Sequence, residues 1–465
     1  MRRVVYTLVA LFFGGILGAG WYAYDRGFTK KWRSFVASEF RKRGVEMSLR
    51  QLALEPFRGI VARDVKIYEG RDRHRTLAVV NEVLLVINYA NFFQKKPFID
   101  ALDLHEARLS LPLDPRTPRG AAVEIKNLSG RLLLPPQQIH LSRLDADVYG
   151  VHVSASGLLI HPQAFQSGSN ATSRGSLVLA ERIIEELKSL RFDGPAPQLK
   201  LRFSGDLADP GRIFIEGTLV AGPVHHDKWG LDRLQLAAAY RDGVLDLQEF
   251  TASDPKGGLE AHGHWRAESG RVDVRVRSSL AGRTLFGLLR VGAPWTGCVF
   301  GAPPLIELTA DGNLGESLSL RVVSRVLVER FSYNGMAFDK LGADVSWQDG
   351  CWSARDVELL HRSGKLHADF LQLPGAFRGR VESSIEANVL TPSLPAGFGG
   401  LFGQFNFVDT PSVQLELSGP DADMQLCTAV GVLRAERASF RNGPVERLNV
   451  SVNWAGGEWR IQAAR

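Results

Sequence analysis

Alternation of apolar and polar residues recurs along most of this chain after residue 45. Residues 271–277 read RVDVRVR, which places Val272, Val274 and Val276 on one side of an extended strand and charged residues on the other. Successive side chains of a strand point to opposite faces, so this pattern predicts a sheet with one apolar and one solvated face. The chain is therefore predicted to be mainly β.

Short helical pieces are predicted to interrupt the strands at regular intervals. In one well-patterned segment, strands are predicted near 197–205, 212–220, 231–241, 243–250, 258–266 and 271–280. Helical pieces are predicted near 177–190, 283–292 and 393–403. Hairpin turns are predicted where the sequence has Asp242-Gly243, Asp349-Gly350 and Gly456-Gly457.

The strand pattern recurs at a fixed spacing of 107 residues. Two sets of markers share this spacing, a strand-opening proline and a leucine that follows a basic residue: Pro197, Pro304 and Pro411, and Leu234, Leu341 and Leu448. A weaker copy, shifted by 106 residues, includes Leu128, Leu132 and Leu134. Several independent markers in one register predict a tandem repeat of about 107 residues, each copy with five or six strands and a short helix.

These patterns divide the chain into seven regions. They are a transmembrane anchor at 1–25, an amphipathic basic helix at 26–44, an N-terminal β region at 45–113, a degenerate β-repeat at 114–196, β-repeats at 197–303 and 304–410, and a partial β-repeat at 411–465. The last copy stops partway through its pattern. We therefore expect either a truncated sequence or a terminal partial repeat.

The N-terminal region is predicted to be a membrane anchor. The run from Val4 to Tyr24 has 21 largely apolar residues, about the length needed to cross a bilayer core. Trp21, Tyr22 and Tyr24 cluster at its far end, where aromatic rings favour the membrane interface. The run is longer than a usual signal-peptide core and lacks a clear cleavage site, which favours an uncleaved anchor over a cleaved signal. We expect the N-terminus inside and the body outside.

A short amphipathic helix is predicted at residues 29–43. Trp32, Phe35, Val36 and Phe40 share one face, and the opposite face is basic. Two interpretations remain open: the helix lies against anionic lipid headgroups, or it closes one end of the β body. The residues predicted at the membrane interface are Trp21, Tyr22, Tyr24, Trp32, Phe35 and Phe40.

Charge is concentrated at the N-terminus. The net charge is +6, but residues 1–50 contain ten Lys and Arg against three acidic residues, so the rest of the chain is nearly neutral. This placement beside an apolar run argues against nucleic-acid binding. The three cysteines form no CxxC pair, and we expect buried free thiols rather than a disulfide framework or zinc site.

The sequence contains no recognisable catalytic motif. We find no P-loop, nucleophile elbow, HExxH or dinucleotide fingerprint. His262 and His264 would share a strand face, but no third metal ligand is evident. We therefore expect a protein that is not an enzyme and that has no cofactor and no metal.

The apolar face allows two architectures. Each copy could fold as a closed sandwich, giving a structural or adhesive array of domains. Alternatively, the copies could form one elongated curved sheet whose apolar face lines a groove. The recurring helical piece, the absence of Pro/Gly/Ser-rich linkers and the membrane anchor favour the groove. An open apolar groove of this length would require apolar cargo.

The predicted groove residues are the apolar members of the alternating strands. Their side chains would shield acyl chains and leave headgroups in solvent. They are Leu199, Leu201, Phe203, Ile213, Ile215, Leu234, Leu236, Tyr240, Val272, Val274, Val276, Ile306, Leu308, Leu341, Val345, Trp347, Val413, Leu415, Leu448, Val450, Val452 and Trp454.

The N-terminal stretch resembles the start of AsmA-like proteins, the family that includes TamB. The matching positions are Gly44, Val45, Leu52, Leu54, Pro56, Gly59, Ile60, Asp64, Val65 and Ile67. The repeats resemble the repeating β-groove units of bridge-like lipid-transfer proteins. The resemblance implies a single-pass inner-membrane protein with a periplasmic body, a phospholipid cargo, and a role in outer-membrane biogenesis and lipid homeostasis. About 22 strands at a spacing of about 4.8 Å span roughly 105 Å, which is short for a whole envelope. We therefore expect an outer-membrane partner protein, an oligomer or further C-terminal residues.

Overall fold

The computed structural model describes residues 29–464 apart from 43–45, 56–58, 69–75, 89, 92–93, 95–98, 113–121, 136, 162–184, 207, 227–228, 290–296, 315–318, 391–404, 424–425, 441–442 and 456–457. The described chain is mainly β with few helices, as the alternation predicts. It divides into two compact units. The first is Met1–Gly222 with Ala237–Asp242, and the second is Pro223–Leu236 with Gly243–Arg465.

Three helices have defined bounds: α1 (Lys30–Lys42), α2 (Gly282–Leu289) and α3 (Ala387–Leu390). Residues 185–189 are also helical, within the piece predicted near 177–190. Helix α2 matches the piece predicted near 283–292. Helix α3 lies before the piece predicted near 393–403, most of which falls outside the described residues.

The predicted anchor at 1–25, with Trp21, Tyr22 and Tyr24, lies outside the described residues. Among the residues that are described, no helix combines the length and the hydrophobicity that a membrane crossing requires. The anchor therefore stays a prediction from the sequence.

The first unit is built on an antiparallel meander from β1 to β7. Strand β9 then pairs with β7 in parallel and with β10 in antiparallel fashion. The strands are β1 (Glu46–Glu55), β2 (Gly59–Tyr68), β3 (Thr76–Ile87), β4 (Ile99–Pro112), β5 (Ala122–Leu133), β6 (Gln138–Val148), β7 (Val151–Ile160), β8 (Arg191–Phe192), β9 (Gln198–Asp206) and β10 (Asp209–Ala221).

Three strands follow at the division between the units. Strands β11 (Val224–His226) and β12 (Trp229–Leu231) form a short hairpin in the second unit. The residues of β13 (Arg233–Arg241) are shared between the two units. The six strands predicted between 197 and 280 are all present. Three of them are β9, β10 and β13, and the other three are the strands at 244–254, 257–266 and 271–278.

The second unit continues as antiparallel strands. They are β14 (Val244–Asp254), β15 (Gly257–Arg266), β16 (Arg271–Ser278), β17 (Cys298–Phe300), β18 (Leu305–Asn313), β19 (Ser319–Tyr333), β20 (Met336–Gln348), β21 (Cys351–His361), β22 (Gly364–Leu373), β23 (Ala376–Ser383), β24 (Phe405–Phe407), β25 (Ser412–Gly419), β26 (Thr428–Ala435), β27 (Ala438–Phe440), β28 (Gly443–Val445), β29 (Leu448–Ala455) and β30 (Glu458–Ala464). Strands β24, β27 and β28 form a separate small sheet.

Helix α1 packs on the first strands through part of its apolar face. Val36 and Phe40 are buried, 4% and 6% exposed, in a cluster that includes Met47 and Leu52. An ion pair between Arg41 and Glu46 (2.7 Å) joins the end of the helix to β1. The helix thus protects an edge strand, which is one of the two roles that its sequence allows.

The two remaining aromatic residues of the helix point elsewhere. Trp32 and Phe35 are each 43% exposed, and their rings contact each other edge to face at 6.0 Å between centroids. The prediction that Phe40 lies at a membrane interface is wrong, because tertiary packing buries its ring against the β strands. Trp32 and Phe35 stay predicted interface residues.

Register shifts interrupt several strand pairs. Glu106, Asn127 and Asp356 lie at such shifts and adopt positive φ angles of 53°, 53° and 50°. An extra residue at a bulge reverses the alternation beyond it and bends the strand. As a result, Ala354 and Val357 both pair with apolar residues of the neighbouring strand although they are three positions apart.

Replacement of Phe40 with alanine should destabilise the first unit by about 3–5 kcal/mol, because it removes a buried ring from a packed cluster. The matched control is Phe35→Ala on the same helix, which removes a ring that is 43% exposed and should have a much smaller effect. Urea unfolding of the full chain in detergent measures both. Equal losses would contradict the assigned packing of the helix.

The polar face of the first unit makes its stability dependent on pH. Ser154 donates a hydrogen bond to Asp145 at 2.6 Å, and Asn127 donates one to Asp147 at 2.7 Å. These bonds are the largest causes that lower the pKa of each carboxyl group. A lowered folded-state pKa adds stability above the unfolded-state value of about 3.9, and this stability is lost as the pH falls through the folded-state pKa.

Ser154→Ala should therefore lower the unfolding temperature at pH 7, because Asp145 loses its shortest hydrogen bond. The difference from the unsubstituted chain should shrink as the pH falls through the folded-state pKa of Asp145, which lies below the unfolded-state value of about 3.9. Thermal unfolding across this pH range measures the effect. The same loss of stability at pH 7 and at low pH would rule out the carboxylate as the cause.

Candidate functional site

The second unit carries a row of apolar residues across twelve successive strands. Each member is the register partner of the next, from β15 to β30, and only Ser324 is polar. The row is Ala261, Val276, Leu308, Ser324, Val345, Ala354, Phe370, Gly379, Leu417, Ala429, Trp454 and Trp459. We call the face of the sheet that carries this row the apolar face.

The row stays close-packed at Gly379, which has no side chain to contribute. Gly379 lies between Phe370 and Leu417 in the register. A Cβ atom added at Gly379 would lie 2.9 Å from Phe370 Cδ1 and 3.2 Å from Leu417 Cδ1. Phe370 and Leu417 therefore fill the space above this glycine, and the apolar surface continues without a gap.

The opposite face carries a row of alternating charge. Across six strands the register partners are, in order, Glu260, Arg277, Glu307, Arg325, Asp344 and Arg355. Arg325 Nε lies 2.9 Å from Asp344 Oδ1, and the arginine lowers the pKa of that carboxyl group through this hydrogen bond. Opposite charges on facing strands stabilise this register, and a slip of one residue would move the charged side chains of that strand to the apolar face.

Exposure of the apolar face differs along the second unit. From β15 to β22 the members of the row are half-buried, and so are the predicted groove residues Val274, Val276, Leu308, Val345 and Trp347. Val272, also predicted, is 9% exposed. This stretch of the face thus leaves apolar side chains within reach of solvent or of a bound molecule.

Towards the C-terminus the same face is a closed core. The six groove residues predicted there are only 1–7% exposed: Val413, Leu415, Leu448, Val450, Val452 and Trp454. They pack in one cluster with Phe405 of the small sheet and Ala438. These six predictions of accessible groove residues therefore need correction, because the small sheet and its neighbours already occupy the space above them.

The two ends of the strands in the second unit differ. Helices α2 and α3 follow the same end of β16 and β23, which we call the helix margin. There Leu280 and Leu285 are buried beside Leu259 and Ile306, while Ile385 and Val389 are buried near Leu366. At the opposite end, which we call the turn margin, short hairpins such as Asp349-Gly350 connect the strands.

The first unit has a similar apolar face. Val153 of β7 pairs with Leu199 of β9, and Phe203 pairs with Ile215 of β10. The predicted groove residues on β9 and β10 are half-buried, except for Ile215, which is 43% exposed. The remaining predictions are also half-buried: Leu234, Leu236, Tyr240, Ile306 and Leu341.

Sequence analysis did not place several members of the apolar face. Ala354, Phe370 and Leu417 belong to the row, but none was predicted as a groove residue. Strand β21 contains a register shift after Ala354, so a fixed two-residue period gives the wrong face beyond it. One sequence signal was available for the strands that follow the hairpins. Trp352 follows Trp347 at the same distance at which Trp459 follows Trp454, so both pairs recur with the 107-residue spacing and mark equivalent positions on the return strands.

Polar clusters in the described residues lie on the charged face. His262 and His264 are exposed there. Donor atoms of Asp356, His367 and Asp369 lie within 4.8 Å of one another, but Asp369 already accepts a hydrogen bond from the Asp356 N–H group at 3.0 Å. Asp356 and His367 are exposed and Asp369 is half-buried, so these side chains lie at the surface.

The three cysteines are free thiols. Cys427 is buried, whereas Cys298 and Cys351 are half-buried. Burial is the main cause that raises the pKa of both Cys298 and Cys427. A raised pKa disfavours the reactive thiolate, so neither of these two thiols has the environment of a nucleophile.

Comparison of the chain with protein-family models, curated proteins and solved structures found no match. The chemistry of the site is therefore argued from its residues. The apolar face offers a wide surface for burial of hydrocarbon and few polar groups to direct it. This arrangement suits burial of an apolar group.

Arg325→Glu should lower the unfolding temperature by placing three carboxylates side by side on β18, β19 and β20. The matched control is Arg325→Gln, which removes the ion pair with Asp344 but adds no third carboxylate, so it should lower the unfolding temperature less. Thermal unfolding at low salt measures both variants, since screening weakens exposed pairs. If the two variants lose equal stability, like-charge repulsion along the row does not affect stability.

Proposed function

We propose that this protein holds or conducts acyl-chain lipids, phospholipids in particular, along the apolar face of its sheet. The observation that carries this proposal is the apolar row of twelve strands, half-buried from β15 to β22, opposite a charged face. Soluble proteins rarely expose more than a few hundred Å² of contiguous apolar surface. Burial of acyl chains there gains about 25 cal/mol per Å².

A tandem repeat is part of the proposal, and the strand bounds support it. Strands β9, β18 and β25 begin at 198, 305 and 412, and strands β14, β21 and β30 begin at 244, 351 and 458. The short strands β8, β17 and β24 begin at 191, 298 and 405. Each step is 107 residues, which is the period of the sequence markers.

Side-chain contacts at the helix margin recur with nearly the same period. Ser279 Oγ accepts a hydrogen bond from Gly258 N–H at 3.1 Å, and Ser384 Oγ accepts one from Lys365 N–H at 3.1 Å. Both serines precede a buried apolar residue, Leu280 or Ile385, and then a helix. The connection from strand to helix therefore has the same contacts after β16 and after β23.

The alternative is an array of closed sandwiches without lipid cargo. Strand pairing argues against it at the predicted borders between copies. Strand β16 pairs with β18 through eight residue pairs, and β23 pairs with β25 through seven. Independent sandwiches would not share hydrogen-bonded strands, so this pairing supports a continuous sheet. The closed C-terminal core limits the proposed groove to β14–β22 and to the face of β7, β9 and β10.

We place the protein at the inner membrane with its body in the periplasm, as the resemblance to AsmA-like proteins implies. The apolar N-terminal run and the exposed Trp32 and Phe35 of α1 support a membrane surface next to the first strands. Lys30 and Lys31 are exposed on the same helix and would favour anionic headgroups. In this proposal the chain contributes to outer-membrane biogenesis and lipid homeostasis together with an outer-membrane partner protein.

Native mass spectrometry of the detergent-extracted full chain tests the proposed cargo. We expect phospholipid to co-purify and Val274→Asp to abolish most of this binding, because a carboxylate on the apolar face cannot be buried against acyl chains. Val323→Asp is the matched control, since Val323 lies on the charged face and is 37% exposed.

Equal lipid binding by Val274→Asp and Val323→Asp would rule out this face as the lipid site. An absence of phospholipid from the unsubstituted chain, also after incubation with phospholipid micelles, would favour the sandwich array instead. Circular dichroism of each variant establishes that the β structure is retained.

A further inference from the structure

Tryptophan is concentrated at the turn margin of the second unit. Trp265, Trp347, Trp352, Trp454 and Trp459 each lie one residue from the end of a strand at this margin. The register places all five on the apolar face. Elsewhere in the described residues, tryptophan occurs only at Trp32 and Trp229.

The pairing of these residues builds two aromatic clusters at the turn margin, one on β20–β23 and one on β29 and β30. Trp347 is the register partner of Trp352, and the Trp454 and Trp459 rings lie 5.4 Å apart. Between the two pairs, Trp352 lies 6.3 Å from Phe377, which lies one residue inside β23. Four of these residues are half-buried, so each ring is partly packed against the protein and partly accessible: Trp265, Trp347, Trp352 and Trp459.

The helix margin has the opposite character. Leu280 is fully buried and Leu285 is 3% exposed where α2 begins, and Ile385 is 1% exposed before α3. These aliphatic residues pack over Leu259, Ile306 and Leu366 at the end of the apolar face. A charged group placed over these aliphatic side chains would lose its hydration.

We propose that a bound lipid is oriented across the strands, with its headgroup at the turn margin and its acyl chains directed towards the helix margin. This inference rests on the proposed lipid function and adds an orientation to it. Indole rings favour the boundary between hydrocarbon and water, since they combine a large apolar surface with one N–H donor. That donor suits the ester and phosphate oxygens of a glycerophospholipid.

Tryptophan fluorescence reports the orientation. The full chain in detergent is loaded with phosphatidylcholine that carries bromine either near the carboxyl end or near the methyl end of its acyl chain. Bromine quenches indole fluorescence on close contact. The signal of Trp347 and Trp352 is obtained as the difference between the unsubstituted chain and the variants Trp347→Phe and Trp352→Phe.

Trp229→Phe is the matched control. Trp229 belongs to the hydrophobic cluster at the helix margin and lies close to Gly287 of α2. We expect bromine near the carboxyl end to quench Trp347 and Trp352 more strongly than bromine near the methyl end. For Trp229 we expect the reverse order or no quenching. Each phenylalanine variant keeps an aromatic ring, and its bound lipid is measured by native mass spectrometry.

The outcomes separate orientation from function. Stronger quenching of Trp347 and Trp352 by bromine near the methyl end would overturn the proposed orientation while leaving lipid binding in place. Bound lipid that quenches neither residue would overturn it as well, because the lipid would then lie away from the turn margin. An unsubstituted chain that binds no lipid in the mass spectrum would instead overturn the function on which the inference rests.

Discussion

The two-residue periodicity of the β-strand is the constraint on which the rest of this structure depends. Each strand must place its apolar residues on one face and its charged residues on the other, and the hydrogen-bond register must keep those faces aligned between strands. The row from Ala261 to Trp459 shows that this alignment persists over twelve strands. Bulges such as that at Asp356 do not break it, because the residues beyond them resume the alternation in the opposite phase.

The two faces then acquire different roles. On one face, alternating charges from Glu260 to Arg355 stabilise the strand register at the solvent boundary. The other face is apolar and gains stability wherever other apolar side chains cover it. Towards the C-terminus the chain supplies that cover itself, through Phe405 and the small sheet. From β15 to β22 the face is only half-buried, and this difference underlies the proposed lipid function.

Asymmetry across the strands gives the apolar face a direction. At one margin, aliphatic side chains from the strand-to-helix corners pack over the apolar face. At the other margin, tryptophan residues flank three of the connections between strands, β15–β16, β20–β21 and β29–β30. An amphiphile has the same asymmetry, with hydrocarbon at one end and a polar group at the other. Helix α1 divides its aromatic residues in a related way, since Phe40 packs against the strands and Trp32 stays exposed.

The sequence by itself determined the β class, the positions of most strands and the identity of residues that share a face, because alternation is a local property of the chain. The markers at Pro197, Pro304 and Pro411 also predicted the spacing of equivalent strands. Only the tertiary structure decided which parts of the apolar face are covered. Val274 and Val450 look alike in sequence, yet Val274 is half-buried and Val450 is 1% exposed. Burial depends on residues distant in the chain, such as Phe405, and on bulges that reverse the alternation, and neither is visible in a local pattern.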